Sequence, residues 1–176
     1  MIWLHRFQQG LRALAVMAFA PTIDDSQAAL YLTPQQLADF RRLKPAEQMH
    51  SLRVLSAVLA QADPTPSALA AAALMHDVGK TRYPVSLFGK TLPVLVSVVS
   101  PTLVTRLSQG DPRRWWVRPF ATYRLHPQWS GDILTASHAN PDAVWLAAHH
   151  ADPAEEWHDH PLYPLLVRLQ QADDVN

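Results

Sequence analysis

Apolar residues recur along this chain at three- and four-residue spacing, the period of an amphipathic helix, and no stretch alternates apolar and polar residues as a half-buried strand does. Trp3, Phe7, Leu11, Leu14 and Met17 form one stripe; Leu43, Ala46, Val54 and Ala57 form a second. Leu69, Ala72 and Ala73 make a third, and Leu162, Leu166 and Leu169 a fourth. Prolines mark where the helices begin. Thr33-Pro34, Thr65-Pro66 and Asn140-Pro141 each pair a capping residue with a proline at the first helical position, where its missing N–H costs nothing. Pro45, Pro127 and Pro161 read as helix starts too. The pattern predicts helices near 2–19, 34–43, 46–61, 66–76, 127–138, 141–150 and 162–173. The expected fold is all-α: a single helical bundle over 1–176, with an N-terminal extension over 1–45 and a core over 46–174.

Residues 84–125 resist this reading and are taken as a long insertion. Leu92 to Leu107 is strongly apolar, but Pro93 and Pro101 interrupt it, and its length falls short of the roughly 20 residues that span a bilayer. Arg113-Arg114-Trp115-Trp116-Val117-Arg118 follows. Tryptophan beside arginine suits a membrane–water interface, a lid over a phosphate site or a helical hairpin on the core. Near the N-terminus, Leu11 to Ala20 with Ala18-Phe19-Ala20 has some look of a cleaved leader. Arg12 inside the run and Pro21 directly after it favour a packed helix instead.

Composition narrows the class. A chain of 176 residues, 48% hydrophobic and 17% charged, folds around a core. The absence of cysteine excludes disulfides, thiolate metal sites and a cysteine nucleophile. Net charge is zero, yet residues 78–125 hold eight basic residues and one acid, Asp111. Such a segment points to an anionic partner (phosphate, nucleic acid or lipid headgroup), or else is a solvated arginine-rich loop.

Chemistry enters where titratable residues interrupt the apolar stripes. His50 lies on the stripe of Leu43, Ala46, Val54 and Ala57, His76 follows Leu69, Ala72 and Ala73, and Asp173 continues Leu162, Leu166 and Leu169. Three polar side chains are therefore expected to face inward. A buried carboxylate without a partner is costly or takes up a proton. A divalent cation removes that difficulty for Asp77 and Asp173 together, and neutral imidazole is the commonest metal ligand. One such histidine alone reads as an ordinary core residue; the set of four points to metal.

The stretch Ala73-Leu74-Met75-His76-Asp77-Val78-Gly79-Lys80 resembles the defining motif of the HD superfamily of helical metal-dependent phosphohydrolases. His50, in Met49-His50-Ser51-Leu52-Arg53-Val54, resembles the family's first histidine. Asp173, in Gln171-Ala172-Asp173-Asp174, resembles its last aspartate, so the resemblance runs over 46–174. A second His-Asp pair, His158-Asp159, has no apolar stripe behind it. His126-Pro127, read as a helix start, and His149-His150 resemble the second metal site of HD-GYP phosphodiesterases. There are departures. The Gly-Tyr-Pro signature is missing after the paired histidines, and Leu162-Tyr163-Pro164 only echoes it. Ala46 and Ala151 stand where acidic residues are common in that group.

The resemblance implies a metal set of His50, His76, Asp77 and Asp173, with Asp77 bridging to a second ion on His126, His149 and His150. It implies iron or manganese ahead of zinc or nickel. Asp77 and Lys80 would be catalytic, with Lys80, Arg82 and Arg124 on the substrate phosphate. The expected reaction is hydrolysis of a phosphate ester, a nucleotide or similar small metabolite, by metal-activated water. A cyclic dinucleotide phosphodiesterase is an alternative. So is a non-catalytic signalling module, favoured if residues 92–118 seal the site. Lys90, Arg106, Arg113, Arg114 and Arg118 with Trp115 and Trp116 suit an anionic membrane surface. The chain is expected in the cytoplasm, at most peripheral to the inner face of the membrane, with no sequence-specific nucleic acid binding.

Overall fold

The computed structural model describes residues 23–176, and within them every regular element is helical. The expected helix over 2–19 and the leader question lie outside the described residues. In chain order the elements are α1 Ser26–Ala29, α2 Pro34–Phe40, α3 Pro45–Gln61, α4 Ser67–Met75, a 3-10 turn Val78–Thr81, α5 Leu87–Val99, α6 Pro101–Ser108, α7 Arg118–Ala136, α8 Pro141–His149, a 3-10 turn Ala154–Trp157 and α9 Tyr163–Asp174. The all-α reading holds.

Local chemistry explains most of the starts. Thr33 Oγ1 accepts the Gln36 N–H at 3.3 Å while Gln36 Oε1 accepts the Thr33 N–H at 3.0 Å, a reciprocal cap for α2. Asn140 Oδ1 accepts the Asp142 N–H at 2.8 Å and opens α8. Thr65 does not cap α4; its hydroxyl donates back to the Ala62 carbonyl at 2.7 Å. Pro164, in the first turn of α9, takes the place expected for Pro161.

α4 is apolar on every side, and all residues from Ala68 to Met75 are buried. A helix of that kind belongs at the centre. α3, α8 and α9 pack around it, and Val54, Leu55, Leu69, Leu74, Leu146, Leu166 and Leu169 are fully buried between them. α7 runs along α8 and covers the 3-10 turn that follows Asp77.

The segment 84–125 is mostly helix. α5 and α6 meet at Ser100, whose hydroxyl accepts the Leu103 N–H at 3.3 Å, and both pack on α7. The two helices form a hairpin that packs on α7. Residues 118–125 are the first turns of α7, so Pro119 lies at its start and Pro127 lies inside it, not at a helix start as expected. A small second cluster of Val117, Ala121 and Trp129, with Tyr83 and Leu125, fills the space beneath. Among the described residues no helix is long and apolar enough to cross a membrane.

Candidate metal centre

Helix ends bring the histidines together. His76 caps the C-terminus of α4 and His150 that of α8, positions where the last carbonyls have no partner within the helix. Each imidazole uses one of them. His76 Nδ1 lies 3.0 Å from the Ala73 carbonyl oxygen, and His150 Nδ1 lies 2.8 Å from that of Ala147. His126 reaches the same arrangement by another route. Pro127 has no N–H to donate to Tyr123, four residues back. His126 Nδ1 donates to that freed carbonyl at 3.1 Å and to Thr122 at 3.0 Å.

A carbonyl only accepts, so Nδ1 carries the hydrogen in all three rings and Nε2 is left to point inward. The three Nε2 atoms converge on Asp77. His76 Nε2 is 3.6 Å from Oδ2, while His126 and His150 Nε2 are 3.3 and 3.9 Å from Oδ1. Asp173 joins from α9, 2.8 Å from His50 Nε2 and 3.6 Å from His76 Nε2. The rings of His50, His76, His150 and His126 stand edge to face in a row, with centroids 4.9 to 5.4 Å apart.

Electrostatics leave this cluster short of positive charge. Burial pushes His76 down from its usual value and pushes His150 down to about 3, so both rings are neutral near pH 7. Burial opposes ionisation of Asp77, but the Lys80 ammonium, the foremost of the groups around it, helps hold the carboxyl well below its usual range. For Asp173, too, burial is outweighed, chiefly by the hydrogen bond from His50. Lys80 Nζ donates to Asp77 Oδ2 at 2.5 Å. His76 Nε2 is buried and has no hydrogen-bond partner. A bare imidazole nitrogen aimed at an ionised carboxylate could hold a cation between them.

Two groups of donor atoms are spaced to hold an ion: His50, His76 and Asp77, and Asp77, His126 and His150. Asp77 belongs to both. Nitrogen and oxygen donors without thiolate suit iron, manganese, zinc or nickel.

His149 stands apart. Its Nδ1 is 2.7 Å from Asp152 Oδ2, and its ring lies beside Trp145 and Trp157, with centroids 4.7 and 4.3 Å away. It is in neither group of donors, and nor is Asp173. Arg82 pairs with Asp132 at 3.0 Å, and Arg124 is exposed. His158 is exposed beside Asp159.

Lys80 links the cluster to a cleft of about 260 Å³, lined also by Arg42, Lys44, Glu47, Val85 and Lys90. Neither Arg82 nor Arg124 lines it. Lys44 Nζ donates to the Val85 carbonyl at 2.5 Å, and Lys90 pairs with Glu47. Arg42 and Lys44 lie far from the His-Asp motif in sequence, Lys90 enters the sequence reading only through the basic segment, and periodicity carries no signal for them as site residues.

Ser130 was not foreseen either, yet it locks the motif in place. Its hydroxyl accepts the Gly79 N–H at 2.8 Å and donates to the His76 carbonyl at 2.6 Å. Its position four residues after His126 on α7 is the only sequence signal for it. No family model, curated protein or solved structure matches this chain. What its own geometry establishes is an all-helical protein with two His/Asp groups, joined through Asp77, that could hold metal.

Proposed function

We propose that this chain is an HD-type metal-dependent phosphohydrolase acting on a small phosphate ester, with nucleotides as the first class to test. The observation that carries the reading is the convergence of three imidazole Nε2 atoms, each fixed by a carbonyl behind it, on one carboxylate held by Lys80. His50, His76, Asp77 and Asp173 would hold one ion, and Asp77, His126 and His150 a second. A divalent ion there supplies Lewis acidity towards a phosphoryl oxygen and activates water near neutral pH.

The protein's own groups do the rest. Asp77 neutralises and positions the Lys80 ammonium, and burial is outweighed by that carboxylate, so Lys80 stays charged. The Lys80 side chain lines the cleft with Arg42, which pairs with Asp39, and with Lys44, Lys90 and Glu47. Such a cleft favours a dianionic phosphate and neutralises charge that builds up on its oxygens. Access supports turnover: the His50, Lys80 and Asp173 side chains are 25%, 26% and 33% exposed. Phe88, Leu92 and Leu95 face solvent instead of plugging the site, which weighs against the non-catalytic alternative.

The test is metal content by mass spectrometry after anaerobic reconstitution, with a screen of nucleotides and aryl phosphates. Asp77→Ala is expected to lose bound metal and all hydrolysis, while His149→Ala keeps both. Full metal content in Asp77→Ala would overturn the site. Arg42→Ala is expected to retain metal and lower kcat/KM by about tenfold, the effect of one charge-assisted contact.

A further inference from the structure

Among the described residues, eight of the eleven exposed large apolar side chains fall between residues 88 and 116. They are not scattered. Phe88, Leu92, Leu95 and Val99 follow one another at spacings of four, three and four along α5, which makes a single stripe. These four are 88%, 45%, 53% and 86% exposed, while the other side of α5 rests on α6 and α7. Helical periodicity normally turns such a stripe inward; here it faces water.

Charge indicates what covers it. Leu103 on α6 is exposed, and Arg106, three residues on, is exposed beside it. Arg113 and Arg114, both exposed, lead directly into Trp115 and Trp116, which are 81% and 44% exposed. The one acid between residues 84 and 125, Asp111, is paired with Arg113. An exposed apolar stripe, followed along the chain by exposed arginines and tryptophans, matches the boundary between acyl chains and anionic headgroups. A second copy of the same face would set arginine against arginine. The thirteen residues of α5 are too few to span a bilayer, so the helix would lie along its surface.

We propose that α5, α6 and the connection over 109–117 form a docking surface for an anionic lipid bilayer. Phe88, Leu92, Leu95, Val99 and Trp115 enter the interface, and Arg106, Arg113 and Arg114 meet headgroup phosphates. The same helix reaches the cationic cleft through Lys90, which pairs with Glu47 on α3. Bilayer contact and phosphate cleft therefore share α5.

Flotation of the full chain with vesicles of phosphatidylcholine, alone or mixed with phosphatidylglycerol, tests this at low and high salt. The protein is expected to float with the anionic vesicles only, and less at high salt. Arg106→Ala/Arg114→Ala is expected to lower partitioning about thirtyfold, and Leu95→Gln/Val99→Gln about tenfold or more. All four positions are exposed, so thermal melting of both variants should match the parent; flotation loss with unchanged melting supports the surface. Absence of flotation at low salt, equal binding to neutral vesicles, or binding that neither variant weakens would overturn it. So would a concentration-dependent dimer that Leu95→Gln/Val99→Gln dissolves, since the second copy would then be the occupant.

Discussion

Gly79 has no room for a side chain. A Cβ there would lie 2.1 Å from the His126 carbonyl oxygen and 2.7 Å from the Ser130 nitrogen, both backbone atoms of α7. Gly79→Ala must push the 3-10 turn away from α7, a loss of about 1–3 kcal/mol or more, readable by chemical denaturation. Ser130→Ala acts on the same contact differently. It leaves the buried Gly79 N–H without an acceptor, at about 1–3 kcal/mol, and should loosen metal binding as His76 loses its anchor. At this scale the sequence was legible where a titratable residue continued an apolar stripe, as for His50 and His76, which share a donor group with Asp77. His149 and His150 show the limit of the resemblance, which treats them as a pair. His150 follows Ala143, Leu146 and Ala147, all buried, at helical spacing. His149 lies about 100° round the helix and meets Trp145 and Trp157 instead.

Elements set the state of the histidines. The C-termini of α4 and α8 supply free carbonyls, and Pro127 frees one within α7, so three rings are held with Nε2 inward. Burial keeps His76 and His150 neutral in the folded protein, whereas both take up a proton near 6.5 when unfolded. The unfolded chain then binds more protons below that pH, so stability falls as pH drops. For His150 the window runs from about 6.5 to about 3. Asp77 and Asp173, held below 3.8, add their own loss further down. The metal-free protein should therefore show a denaturation midpoint that declines from pH 7 to pH 4.5. Added manganese or iron should raise it at pH 7 and progressively less on acidification, as protons compete for Nε2. A flat profile in the chelated protein would mean that the buried rings are already charged. The segment over 84–125 was the element least legible from sequence. Its apolar pattern is helical, but the stripe faces outward, so inward and outward could not be told apart by period alone.

At the scale of the whole molecule, the uneven charge acquires a layout. Lys80 and Lys90 turn to the cleft, while Arg106, Arg113 and Arg114 face solvent beside exposed apolar residues. Removing Lys90 should separate the two roles. Lys90→Ala is expected to weaken phosphate-ester turnover by about tenfold while leaving vesicle binding near the parent level, because its ammonium is engaged with Glu47 at the cleft. The sequence by itself determined the helical class, most helix boundaries to within a few residues, and which titratable residues interrupt apolar faces. Those are local properties, set by spacing of a few residues and by capping chemistry. Only the tertiary structure decided which imidazoles share a carboxylate, that Ser130 binds the motif to α7, and that Arg42, Lys44 and Lys90 form a cleft with Lys80. Each of these joins residues distant in sequence, and a distance of three ångströms between such residues depends on how helices pack, which periodicity does not encode.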